Sequence, residues 1–285
     1  MPHHRGLPAE PARDPQPAPR RETSGLDVEF FQVSDIGRVR QNNEDFHGYA
    51  EPTAPERGWL FAVADGVGGQ QFGEVASKTA IETLIAGYSA AAAGEQQSPL
   101  LQRLVQAANI KVYETGRSTG PGGVAMATTI VACALRYDRV TIAHVGDSRC
   151  YLIRNRHAMA LTRDHTVVNE QVRLGLMSAK EAAKAETRHV LSRTLGMELF
   201  VNVDVSEHQV VPDDVLLLCS DGLHGAVTPQ DIARALDHST LQEAAQKLID
   251  LANQNDGRDN VTVQLIRIRG VERVGMYRGR PYKLR

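Results

Sequence analysis

Two apolar runs, 128–135 and 140–145, are separated only by Arg136-Tyr137-Asp138-Arg139. Four residues cannot contain the helix that a parallel crossover needs, so the runs must pair as an antiparallel hairpin. This hairpin constrains the fold more than any other feature. A further strand at 151–154 is expected to extend it as a meander. Other strand patterns fall at 28–33, 46–49, 59–64, 201–205, 215–219 and 261–268. The run 59–64 lacks alternation and reads as buried on both faces, ending at Asp65-Gly66-Val67-Gly68-Gly69. The last strand alternates Val261, Val263 and Leu265 against Thr262 and Gln264. Helical spacing appears at 74–88, carried by Val75, Thr79, Leu84 and Ile85, and again at 100–113, 229–236 and 241–254. Strands in runs, with paired helices between the runs, imply antiparallel sheets with helices packed outside. A dinucleotide-binding alternation does not fit. There is no G-x-G-x-x-G, and Asp65 would oppose a pyrophosphate with its own charge.

With 285 residues, 42% of them hydrophobic, the chain can bury a sizeable core in one large domain. Its longest apolar stretch, 124–135, has 12 residues and contains Thr128 and Thr129, too short for a membrane span. The start is polar and proline-rich, so no secretory signal is expected. Residues 1–24 carry six of the 13 prolines and no apolar period, and read as a disordered leader. The folded domain is placed at 25–270. Within it, 164–193 is polar and helical with few large apolar residues, the pattern of a mobile surface excursion. Cys133, Cys150 and Cys219 are odd in number and lie in strand-like surroundings, as reduced thiols of a cytoplasmic protein do.

The net charge of −2 argues against a nucleic-acid binder. Its distribution is uneven. Seven basic residues and one acid from Arg267 onward make the end +6 and leave −8 for the rest. The segment 271–285 is therefore a basic tail, read as a solvated, frayed end or a docking segment for an acidic partner. The acidic remainder gathers its carboxylates at strand ends and turns. They occur in Arg40-Gln41-Asn42-Asn43-Glu44-Asp45, Asp65-Gly66, Gly146-Asp147-Ser148-Arg149, Ser220-Asp221-Gly222 and Arg258-Asp259-Asn260.

Any one of these could be a plain turn, because Asp-Gly is a turn signal. Converging strand ends, however, would bring like charges within a few ångströms, which is unstable without cations. Hard oxygen donors suit Mg2+ or Mn2+, and no H-E-x-x-H or paired C-x-x-C argues for zinc. Two such ions can activate a water and clamp an oxyanion during displacement at phosphorus. Arg40 offers a planar fork for that oxyanion.

The ordered motifs R-x-x-x-E-D, V-A-D-G-V-G-G, G-D-S-R, S-D-G-L and G-R-D-N-V-T-V resemble those of the metal-dependent serine/threonine phosphatases of type 2C, bacterial type. The resemblance runs from about Val28 to Ile268 and includes R-H-V-L-S-R-T-L-G at 188–196. It implies an α+β fold, a four-layer α/β/β/α sandwich of two antiparallel sheets flanked by helices. By resemblance Asp45, Asp65 and the Gly66 carbonyl, with Asp221 and Asp259, hold two Mn2+ or Mg2+ ions. Asp147 helps to hold a third, weaker ion. Glu44 corresponds to the carboxylate that holds metal-bound water, Arg40 to the phosphate-binding arginine, and 164–193 to the flap. The implied activity is hydrolysis of phosphoserine and phosphothreonine in proteins by in-line attack of a metal-bridging water, reversing a cognate serine/threonine kinase. A monomer is expected, with no nucleic-acid partner and no membrane span.

One departure concerns the proton for the leaving group. Some members carry histidine directly after the first Asp-Gly, where Val67 stands here. The preferred donor is a water on the third ion near Asp147, ahead of His165 or His189, because long polar flaps fix a side chain poorly. Three alternatives compete. The C-x5-R spacing of a thiolate phosphatase occurs at Cys133 and at Cys150, but neither has the glycine-rich turn that lowers a thiol pKa. A serine hydrolase lacks its G-x-S-x-G elbow. A catalytically weak or inactive homologue that binds phosphoproteins as a regulatory module should have lost a metal aspartate, and none is missing.

Overall fold

The computed structural model describes residues 26–53, 56–67, 72–92, 94–272, 274–277 and 280–283. The expected leader 1–24 lies outside them, as do Gly68 and Gly69. The chain opens with β1 (Asp27–Asp35), β2 (Asp45–Ala50) and β3 (Trp59–Val67). Two long helices follow, α1 (Gly73–Ala90) and α2 (Gln97–Ser118). Next come β4 (Ala127–Thr128), β5 (Ile130–Arg136), β6 (Arg139–Val145), β7 (Arg149–Arg154) and β8 (His157–Ala160). After β8 lie α3 (Val167–Arg173), α4 (Ala179–Ala182) and a 3-10 turn at Glu186–His189. After it stand β9 (Asp204–Gln209), β10 (Val215–Cys219), α5 (Asp221–His224), α6 (Pro229–Ala235), α7 (Leu241–Asn255) and β11 (Val261–Gly270). In the basic tail, β12 (Val274–Tyr277) and β13 (Arg280–Lys283) pair as a hairpin rather than fraying.

One sheet has the order β1-β11-β10-β7-β8 and the other β2-β3-β5-β6-β9, every pairing antiparallel. The β5–β6 hairpin forms as its loop length requires, with Tyr137 at φ 58° in the turn. Residues 149–154, however, do not continue that meander. Residues 146–148 carry the chain across the sandwich, and β7 pairs with β10 in the opposite sheet. The strand expected at 201–205 begins only at Asp204, where pairing with β6 starts. β3 runs two residues past Asp65, because Gly66 and Val67 pair with β4.

The layers follow from side-chain pattern. Phe61, Val63, Val131, Cys133 and Ile142 of one sheet interdigitate with Cys150, Leu152, Leu216, Leu218 and Ile266 of the other. Each large side chain buried there contributes about 1.5–3 kcal/mol. The outer face of the β2–β9 sheet is covered by α1 and α2. The stripe α1 buries is Ala76, Ala80, Ile81, Leu84 and Tyr88, while Val75 stays 39% exposed. Leu84 and Ile85 face the core as the spacing predicts, while Ala76 and Ala80 take the places expected for Val75 and Thr79. The opposite face is covered by α5, α6 and α7, the last closed by a Thr240–Glu243 capping box. No helix among the described residues is long and apolar enough to cross a membrane.

Candidate active site

All of the sequence-selected residues lie at one end of the sandwich, where the chain crosses between sheets. Four stretches meet there: the β1–β2 crossing, the end of β3, the β6–β7 crossing, and the β10–α5 corner beside the start of β11. Asp45 and Asp65 are direct cross-strand partners in the β2–β3 pair. The Asp65 N–H donates to Thr129 Oγ1 at 3.0 Å, and its carbonyl accepts from Thr129 N–H and Thr128 Oγ1, both at 2.8 Å. Gly66 N–H donates to the Glu44 carbonyl at 3.0 Å. A Cβ on Gly66 would stand 2.3 Å from the Gly73 carbonyl oxygen, so only glycine lets α1 begin against this strand.

Asp45 is buried and held from one side only. Its Oδ2 accepts from Ser220 Oγ and Thr262 Oγ1, each at 2.7 Å. Thr262 in turn meets Ser34 Oγ at 2.7 Å, and Ser34 accepts from Asn43 Nδ2 at 2.8 Å. Asp45 Oδ1 is buried with no hydrogen-bond partner among the described residues, and so is Asp221 Oδ1. Such orphaned anionic oxygens are costly unless something cationic faces them.

The same crowding shifts the carboxyl pKa values. Burial pushes Asp45 up to about 7, against the pull of Ser220 and Thr262 and with the repulsion of Asp221 and Asp259. Burial raises Asp65 well above the usual carboxylate range, reinforced by Asp45, Asp221, Asp147 and Asp259. Asp147 is pushed up to about 8 by burial and then by Asp221 and Asp164. Asp221 is raised by burial and Asp259. Five carboxylates thus face one another, and their donor set is entirely oxygen, the composition that Mg2+ or Mn2+ takes.

Arg40 and Glu44 stand at the rim. Arg40 Nη2 lies 2.8 Å from Asp259 Oδ1, with the two side chains 40% and 37% exposed. Burial raises Glu44, and Arg40 opposes it. Asn260 fixes this crossing: it accepts from the Glu44 N–H at 2.9 Å and donates to the carbonyls of Ile36 and Asn42.

Asp147 sits in the β6–β7 crossing, and its surroundings show that the expectation of poorly held histidines in 164–193 fails for His165. His165 is buried, accepts from Gly146 N–H through Nδ1 at 3.1 Å and faces Asp204 through Nε2 at 3.2 Å. It stacks on His144 at 4.6 Å between centroids. Burial, then His144, pushes the His165 pKa down. With Nδ1 accepting, the single ring proton sits on Nε2 and is committed to Asp204, away from the carboxylate ring. His189 is exposed at the end of the 3-10 turn. Asp164 makes a two-bond pair with Arg149 at 2.7 and 2.6 Å. All three cysteines are buried, and burial pushes the Cys133 and Cys150 thiols upward, the reverse of thiolate activation.

Sequence reasoning did not reach Ser220, Thr262, Asn260, Ser34 and Thr129. Thr262 was visible as the polar side of an alternating strand. That side faces the other sheet, not water, because β11 is an interior strand of the sandwich.

A double antiparallel sandwich whose crossings gather hard oxygen donors at one end defines a class of divalent-cation proteins. Within it, residues 38–261 match the protein phosphatase 2C family, and the chain belongs to that family. It is 37% identical over 239 residues to the serine/threonine phosphatase stp of Listeria monocytogenes serotype 4b, covering 82% of this chain and 93% of that one. Its fold is similar to that of the serine/threonine phosphatase Stp1 from Staphylococcus aureus, with TM-score 0.80 and 31% identity over 89% of this chain and 100% of that one. It is also similar to the catalytic domain of the serine/threonine protein phosphatase PstP in complex with two manganese ions. There the TM-score is 0.73 and the identity 33%, over 86% of this chain and 99% of that one.

Proposed function

We propose that the chain hydrolyses phosphoserine and phosphothreonine in proteins, acting in the cytoplasm against a cognate serine/threonine kinase. The observation that carries this reading is the pair of orphaned buried oxygens, Asp45 Oδ1 and Asp221 Oδ1, inside a ring of mutually repelling carboxylates. Asp45, Asp65, the Gly66 carbonyl, Asp221 and Asp259 would hold two Mn2+ or Mg2+ ions, and Asp147 would contribute to a third, weaker one. Bound there, the ions supply Lewis acidity that activates water for in-line attack at phosphorus and offsets charge on the phosphoryl oxygens.

The protein's own residues do the rest. Ser220 and Thr262 hold the Asp45 carboxylate by one oxygen, so that the other stays directed into the cleft. Glu44, in a crossing fixed by Asn260, orients water at the rim by accepting its proton in a hydrogen bond. Arg40 presents its fork to the solvent side, where the Asp259 carboxylate stands in for the phosphate it would grip. The cognate relatives named above as serine/threonine phosphatases support the substrate class.

Turnover of phosphoserine and phosphothreonine peptides is expected to vanish in excess EDTA and to return with Mn2+ or Mg2+. Asp221→Asn should lower kcat by at least about 100-fold while the circular dichroism stays native, because it removes ligand charge and not packing. Full turnover in EDTA would exclude the reading.

A further inference from the structure

The crossing that carries Asp147 is held from two sides by histidines outside the carboxylate ring. Gly146 has φ +105°, and a Cβ there would lie 2.6 Å from the Thr129 side chain, so the loop is pressed onto Thr129. On one side His165 takes both polar groups of Gly146: its backbone N–H donates to the Gly146 carbonyl at 2.9 Å, and its Nδ1 accepts the Gly146 N–H at 3.1 Å. On the other side His224, at the end of α5, donates from Nε2 to the Asp147 carbonyl at 2.9 Å. The acceptor is a carbonyl, so the proton is fixed on Nε2. His224 stands three residues after Asp221, one helical turn below it. One short helix therefore carries an aspartate of the ring as its first residue and the tether of Asp147 as its last.

We propose that His224 is a positioning residue for the Asp147 site: its Nε2–H holds the Asp147 peptide so that the carboxylate reaches a divalent cation shared with the Asp221 side of the ring. This rests on the reading of Asp147 as a contributor to a third, weaker ion. The weaker ion depends on this tether more than the other two do. Asp45 and Asp65 are fixed by strand pairing and by hydroxyl donors, to the Asp45 carboxylate and to the Asp65 carbonyl, whereas Asp147 stands in a three-residue crossing outside the strands. An outer group that orients a ligand is worth about 10–100-fold in metal affinity.

The test is calorimetric titration of the full metal-free chain with Mn2+, which resolves tight and weak phases. His224→Leu, of similar volume but without a donor, should leave the tight phase unchanged and weaken the weak phase by at least about 10-fold. His224→Gln, whose amide nitrogen reaches the position of Nε2, should restore most of it. A wild-type weak phase in His224→Leu overturns the proposal. So does a glutamine variant as weak as the leucine one, or an equal loss in both phases. Asp147→Ala separates the two levels of the argument. If it binds like wild type, the third-ion reading fails and takes the proposal with it. If it alone loses the weak phase, the reading stands and the tether is refuted. Should His224→Leu fail to fold, the unsubstituted chain still decides the matter. The His224 Nε2 proton resonance should shift during Mg2+ addition beyond the tight equivalents, and a resonance that stays fixed overturns the proposal.

Discussion

In the metal-free protein, stability should fall as pH rises from about 6.5 to 8.5, the reverse of ordinary acid denaturation. The cause is the crowding of carboxyls that makes Asp45 titrate at about 7 and Asp147 at about 8. Unfolded aspartate titrates near 3.9, so across this window the folded chain binds more protons than the unfolded one. Stability then decreases with pH, because raising the pH strips protons that only the native state retains. Below the window the sign is mixed. Burial pushes His144 and His165 down and His224 down to about 4, so those groups add stability as pH rises through about 6.5. Above it they are spent. Integrating over the window gives about 2 kcal/mol from Asp147 and about 1 kcal/mol from Asp45. Because the two share neighbours, their sum of about 3 kcal/mol is an upper figure. For a domain of this size that is on the order of 5–10 °C in Tm. Urea unfolding in chelator at pH 6.5, 7.5 and 8.5 measures the loss directly. Excess Mn2+ should cancel it, since an ion at 100 times its Kd returns about 2.7 kcal/mol. Asp45→Asn should flatten part of the slope and be more stable than wild type at pH 8.5 without metal. A metal-free stability that is level or rising across the window would refute the reasoning.

Other expectations follow from single contacts. Arg40→Ala should raise KM and also lower kcat, because charge on the phosphoryl oxygens changes during transfer, and Arg40→Lys should recover only part for want of a fork. Unchanged kcat/KM in the alanine variant would place the phosphate elsewhere. Asp147→Ala should damage phosphopeptide hydrolysis at least about 10-fold more than p-nitrophenyl phosphate hydrolysis, since an alkoxide needs a proton that a phenolate does not. Equal loss on both substrates would indicate general damage to the carboxylate ring. Cys133→Ala and Cys150→Ala should keep kcat, because both thiols are buried between the sheets, and should cost about 1 kcal/mol each as cavities, read by urea unfolding.

The sequence by itself determined the layers and the ring. A four-residue link between two apolar runs leaves no option but a hairpin, and apolar strands ending in Asp or Asp-Gly mark where carboxylates could gather. Arg40, Glu44, Asp45, Asp65, Asp147, Asp221 and Asp259 were therefore legible from position and motif. The tertiary structure decided which sheet each strand joined. Residues 151–154 look like a third meander strand because periodicity carries no information about partners, and only the Gly146–Ser148 crossing sends them to the other sheet. It also decided which polar residues serve the ring. Thr262 and Gln264 alternate like the wet face of an edge strand, yet they are buried because a second sheet lies over them. The same limit hid the histidines. Nothing in the spacing of His165 or His224 marks them as clamps on Gly146 and Asp147, since each meets its partner 19 or 77 residues away in sequence. Local pattern encodes which face of an element is apolar, whereas contacts between distant segments exist only after the layers have packed.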